Sequence, residues 1–183
     1  MRNRIELAEH FRDQGFTKGV EVGVCDGRYS EILMQTIPNL HLIGIDPYAS
    51  HAEYTDFRRQ STLNEKLDVA RGRLMRYKAY SLVIGWSVEV AQMLPDNFFD
   101  FVFIDANHKY QYVAEDIQAW YPKVRPGGIL SGHDYYASKS GRVGVIQAVD
   151  EFVAEKGLTL QTTEWDMDAH RDDQQPDWIV QKP

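Results

Sequence analysis

Apolar positions along this chain follow two alternating rhythms. Near-continuous apolar runs, KGVEVGV, LHLIGID, SLVIG, FFDFVFID and GGILSG, read as strands. Between them apolar residues recur every three or four positions, as amphipathic helices require. Ile5, Ala8 and Phe11 share such a face, as do Leu63, Leu67, Ala70, Leu74 and Tyr77. Val113, Ile117 and Trp120 mark another, and Val145, Ile146, Val149, Phe152 and Val153 a further one. SEILMQTI and SVEVAQML are shorter helical segments, and Gly15, Pro38, Pro95 and Gly157 stand where helices stop. Strand and helix alternate five times, then two strands, in LTLQTTE and DWIVQ, finish the chain. Runs without polar alternation suit strands covered on both faces, so the pattern predicts an α/β sandwich with a mostly parallel sheet.

In such sheets ligands sit beyond the carboxyl ends of the strands, and every candidate motif falls there. In GVEVGVCDGRYS, Gly23 and Gly27 let the backbone turn tightly, and Ser30 can cap the next helix or donate to a ligand. Glu21 is awkward beside a pyrophosphate. It suits a ligand with a positive end, an ammonium or a sulfonium, or else it ties down the loop. In IGIDPY, Asp46 can accept both hydroxyls of a ribose or serve as a turn residue before Pro47. In IGWSVE, Ser87 is placed to cap the following helix, and Trp86 to lie against an adenine ring or pack in the core.

Asp105 ends the most apolar strand, in FIDANHKYQY, with His108 as a local hydrogen-bonding or capping residue. His133 and Asp134 end the next strand, in PGGILSGHDYY. Asp105, His133 and Asp134 thus offer oxygen and nitrogen ligands for Mg²⁺ or another divalent cation. Without metal, His133 can take a proton from a hydroxyl, oriented by one of the carboxylates.

The length of 183 residues suits one domain spanning 1–183. The net charge of −7 argues against an extended nucleic-acid surface. No apolar run approaches the roughly 18 residues of a membrane span, and no signal peptide is visible. Cys25 is the only cysteine, which excludes an internal disulfide and suits a cytoplasmic setting. A homodimer is expected from size and class alone.

Together these stretches resemble the class I S-adenosylmethionine-dependent methyltransferases, most closely the methyltransferase 24 family. VEVGVCDGRYS looks like the first motif, IGIDPY like the ribose motif, and FDFVFIDANHKYQYVAEDIQAWYPKVRPGGILSGHDY like the longest signature. The resemblance implies a Rossmann-like three-layer sandwich with a seven-stranded sheet whose last strand is antiparallel. It implies S-adenosyl-L-methionine as cofactor, with Glu21, Gly23, Gly27 and Ser30 at its methionine end. Asp46 would hold the ribose, Trp86 and Ser87 would lie near the adenine, and Asp105 would face both cofactor and acceptor. Asp105, His133 and Asp134 become the catalytic or metal-binding group, although His133-Asp134 departs from the acidic or Asp-Asn pair of metal-dependent relatives. The expected reaction is O-methylation of a small-molecule hydroxyl, on a sugar or a phenol. An NAD-dependent oxidoreductase is the alternative, but the loop lacks G-x-G-x-x-G; a non-catalytic binding protein on the same fold is another. The loops Tyr135 to Gly141 and Trp165 to Pro176 are expected to form a lid or a solvated connector.

Overall fold

A computed structural model describes residues 1–51, 59–137, 143–170 and 173–183. Helix α1 (Arg4–Asp13) precedes strand β1 (Lys18–Val22), α2 (Arg28–Thr36) and β2 (His41–Asp46). Then come α3 (Gln60–Leu74), β3 (Tyr80–Ile84), α4 (Ser87–Gln92), β4 (Phe99–Ile104), α5 (Tyr110–Trp120) and β5 (Val124–Gly132). Helix α6 (Val145–Lys156), β6 (Leu160–Thr162) and β7 (Trp178–Gln181) complete the order. The seven strands form one sheet in the order β3-β2-β1-β4-β5-β7-β6. Strands β1 to β5 are mutually parallel, and β7 runs antiparallel between β5 and β6. The expected sandwich and its antiparallel last strand are therefore present.

Central β4 is buried at all six positions, as its unbroken apolar run requires. Strand pleating splits the core into two layers. Val20, Val22, Val102 and Ile104 pack on one face with Val113, Ile117 and Val149. Phe101, Phe103 and Leu42 pack on the other with Leu7, Phe11 and Leu33. This alternation has a direct consequence for the site. Glu21 lies between Val20 and Val22, so it points to the α1 and α2 side of the sheet.

Two helix-level expectations need correcting. Asn3 caps α1, its Oδ1 accepting from the amides of Ile5 and Glu6 at 3.1 Å each. The buried stripe that follows is Arg4, Leu7, Ala8 and Phe11, while Ile5 is exposed. A charged side chain therefore occupies the position where periodicity suggested Ile5. Neither Ser30 nor Ser87 caps a helix: Gly27 and Trp86 hold those cap positions, without side-chain cap bonds. Of the two expected lid loops, residues 138–141 and 171–172 lie outside the described residues. Among the described residues, no helix is long and apolar enough to cross a membrane.

Candidate functional site

The strand order reverses between β1 and β4, and the site is built at that switch point. The Asp105 amide donates to the Val22 carbonyl at 2.7 Å, and the Gly23 amide to the Ile45 carbonyl at 2.8 Å. Gly23 has φ of +93°, and a Cβ there would lie 1.9 Å from the Asp105 carbonyl oxygen. Only glycine allows the first turn to approach β4 so closely.

Beside this junction opens a cavity of about 510 Å³. Gly23, Asp46, Trp86, Ser87, Asp105 and Asp116 are among its lining residues. Asp46 pins the loops around it: Oδ2 accepts from the Cys25 amide at 2.9 Å and Oδ1 from the Tyr48 amide at 2.8 Å. Burial raises its pKa against these backbone hydrogen bonds. Trp86 stands half-open at the mouth, with the His51 ring edge-on at 5.7 Å. The Ser87 hydroxyl binds the Asp116 carboxylate and accepts from Trp120 Nε1 at 2.8 Å. Asp116 is a buried carboxylate whose pKa burial pushes up to about 7.

Glu21, Gly27 and Ser30 do not line this cavity. Glu21 is buried on the opposite face of β1, where the Ser30 hydroxyl donates to it and lies 3.2 Å from Tyr80 Oη. Burial pushes the Glu21 pKa up to about 8, and the nearby Asp105 and Asp46 charges push the same way. Loop pinning through backbone amides, the alternative role for Glu21, is performed by Asp46 instead.

The second half of the site lies at the ends of β4 and β5. His108 Nε2 stands 3.0 Å from Asp134 Oδ2 and 3.6 Å from Asp105 Oδ1. Ligand atoms of Asp105, His108 and Asp134 all lie within 4.8 Å of one another. His108 stands here where the expected trio had His133. The His133 Nδ1 is held 2.7 Å from Asp177 Oδ1, next to β7. Burial lowers the His133 pKa, but the negative Asp105 and Asp177 outweigh it and the net direction is upward. Burial would raise the Asp105 pKa, yet His133, His108 and Arg4 together hold it well below the usual carboxylate range. Asp134 takes the left-handed conformation (φ +60°), and burial raises its pKa.

Sequence reasoning missed four members of this neighbourhood: Arg4, Asp116, Asp173 and Asp177. Arg4 Nη2 is 3.2 Å from Asp105 Oδ2 and Nη1 is 2.7 Å from Asp173 Oδ1. The signal for Arg4 was its spacing, in phase with Leu7, Ala8 and Phe11 on the buried stripe. Asp116 was detectable in the same way, as a carboxylate within the Val113, Ile117 and Trp120 face of α5.

Comparison with known proteins agrees with this architecture. An uncharacterized protein of Acanthamoeba polyphaga mimivirus is 29% identical over 149 residues. The match covers 81% of this chain but 64% of that relative, so the chain spans under two thirds of its length. The O-methyltransferase of Bacillus cereus, solved with S-adenosylhomocysteine, superposes with a TM-score of 0.71 at 17% identity, covering 98% of this chain and 80% of that one. TomG of Streptomyces achromogenes, an O-methyltransferase of tomaymycin synthesis solved with S-adenosylmethionine, gives 0.67 at 16% identity, covering 98% and 79%. At such identities these likenesses establish the class I methyltransferase fold. A family model, methyltransferase 24, described as a methyltransferase domain, matches residues 20–135, more than half of the chain. The chain therefore belongs to the methyltransferase 24 family of methyltransferase domains.

Proposed function

We propose that this chain is an S-adenosylmethionine-dependent methyltransferase acting on a hydroxyl of a small molecule. One observation carries the reading: Asp46 and Asp105, at the ends of β2 and β4, line the cavity together with the Gly23 turn. Two neighbouring carboxylates repel a pyrophosphate and attract a cationic ligand, which disfavours the dinucleotide alternative. The cavity volume also falls in the range of small-molecule sites.

S-adenosylmethionine supplies, when bound, an electrophilic methyl group on a sulfonium. The protein's own work is to bind, orient and move a proton. Asp46 accepts backbone hydrogen bonds from Val24, Cys25 and Tyr48 and, with about four acceptor sites on a carboxylate, keeps one for a ribose hydroxyl. Trp86 offers a flat face to an adenine, and Ser87 and Asp116 present polar groups beside it. Glu21, on the far face of β1, supports the turn from below through Ser30. Holding an acceptor next to Asp105 in line with the methyl group is worth up to about 7–11 kcal/mol in favourable cases.

For proton removal, the donor chemistry of Asp105, His108 and Asp134 suits Mg²⁺ or Mn²⁺, hard cations that favour carboxylate oxygen with some imidazole. These three residues would hold such an ion, which would lower the pKa of an acceptor hydroxyl. His133, held by Asp177 and close enough to Asp105 for their charges to interact, is the candidate proton acceptor.

The test is thermal stabilisation of the full chain. S-adenosylhomocysteine at 100 times its Kd should stabilise by about 2.7 kcal/mol, while NADH does not. Stabilisation by NADH alone, or by neither ligand, overturns the reading.

A further inference from the structure

We infer that Asp173 occupies the place of a carboxylate on the methyl acceptor, so that the acceptor is a compact hydroxy acid. This rests on the methyltransferase reading and names its substrate class. Two arginines converge on Asp173. Arg4 Nη1 lies 2.7 Å from Oδ1, and Arg28 Nη1 lies 3.5 Å from Oδ2. The other arm of the Arg4 guanidinium, Nη2, reaches Asp105 Oδ2 at 3.2 Å. One planar fork thus spans the rim and the strand end where methyl transfer is placed. An acceptor with its hydroxyl at Asp105 and its carboxylate at Asp173's position would have the two groups about a guanidinium's width apart.

The cation is fixed and the anion is exchangeable. Arg4 is 6% exposed and packs over the Tyr29 ring at 4.9 Å and the Phe103 ring at 5.6 Å. Its Nε is buried without a hydrogen-bond partner, a donor still lacking its acceptor. Asp173 sits nearer the surface, with 18% of its side chain exposed. Its segment has other anchors: Asn3 Nδ2 donates to Asp166 at 2.6 Å and the Glu164 amide to the Arg2 carbonyl at 3.1 Å. Attaching this segment to α1 therefore does not require the Arg4–Asp173 pair.

Electrostatics narrow the choice. Asp46, Asp105 and Asp134 make the strand ends acidic, and the chain carries a net charge of −7. The Arg4 and Arg28 pair offers an anionic acceptor a cationic anchor beside these carboxylates. Paired guanidiniums bind a carboxylate through charge-assisted, fork-shaped hydrogen bonds, and a neutral amide far less well.

The experiment is calorimetric titration of the full chain, in saturating S-adenosylhomocysteine, with 3,4-dihydroxybenzoate and glucuronate, each compared with its amide. Asp173→Asn keeps the side-chain shape and removes the competing charge. It should bind at least one acid about tenfold more tightly than the native chain does, leaving the amides unchanged. Adding Arg28→Ala should abolish that gain. Equal affinity for acids and amides in Asp173→Asn, or a lower Tm with no gain in acid binding, overturns the inference and marks Asp173 as a structural latch. Failure of S-adenosylhomocysteine to bind at all would be visible in the same samples, and would instead overturn the methyltransferase reading.

Discussion

Replacing Glu21 with Gln isolates the cost of burying a carboxylate beneath the first turn. Glutamine preserves the shape and can still accept the Ser30 hydroxyl, but it does not titrate. In the folded chain the Glu21 pKa is raised from 4.5 to about 8, chiefly by burial. A raised pKa means the folded state holds a proton that the unfolded state has lost. The associated stability is fully present below pH 4.5 and is lost as pH rises through about 8. At about 1.4 kcal/mol per pH unit the loss approaches 5 kcal/mol. This is an upper bound, because local relaxation and Arg4 both ease the ionised form. For a chain of this size it corresponds to roughly 10–20 °C in Tm. Thermal unfolding of the native chain and Glu21→Gln at pH 5 and pH 8.5 measures it directly. The two should nearly coincide at pH 5, and the variant should be more stable by at least about 2 kcal/mol at pH 8.5. Equal differences at both pH values would show that Glu21 is not held protonated by its surroundings, and the electrostatic account of the turn would fail.

Two further outcomes test the rest of the site. Gly23→Ala forces a side chain into a left-handed backbone and against the Asp105 carbonyl, so a loss of about 2–4 kcal/mol in stability is expected, together with loss of S-adenosylhomocysteine binding by calorimetry. For the metal-ligand set, Mn²⁺ titration followed by electron paramagnetic resonance should show one bound ion in the native chain and about tenfold or weaker binding in His108→Ala. Unchanged Mn²⁺ affinity in that variant would remove His108 from the set.

Much of this protein was legible because its signals are local. The all-buried β4 comes directly from FDFVFI, since a central strand covered on both faces has no reason to alternate. The Gly23 turn, Asp46 and Asp105 were visible because the carboxyl ends of parallel strands are where such folds bind ligands. Motif resemblance added the antiparallel direction of the last strand, which periodicity alone did not provide.

What the tertiary structure decided was which of these groups meet. Period-two pleating turned Glu21 toward α2 and Ser30 while Val22 faced the cavity, a distinction set by the register of β1 against β2 and β4. The return of β7 beside β5 brought Asp177 to His133 and so left His108 to approach Asp105 and Asp134. Packing of α1 delivered Arg4 to Asp105, more than a hundred positions along the chain from it. Hydrophobic periodicity reports which face of an element is buried, because burial depends on the element's own repeat. It carries no information about which polar atom waits on the other side, because that partner is chosen by chain crossings distant in sequence. The amino-acid order therefore determined the sheet, its helices and the edge where the candidate site lies, while the pairing of charges at that edge emerged only when the layers closed.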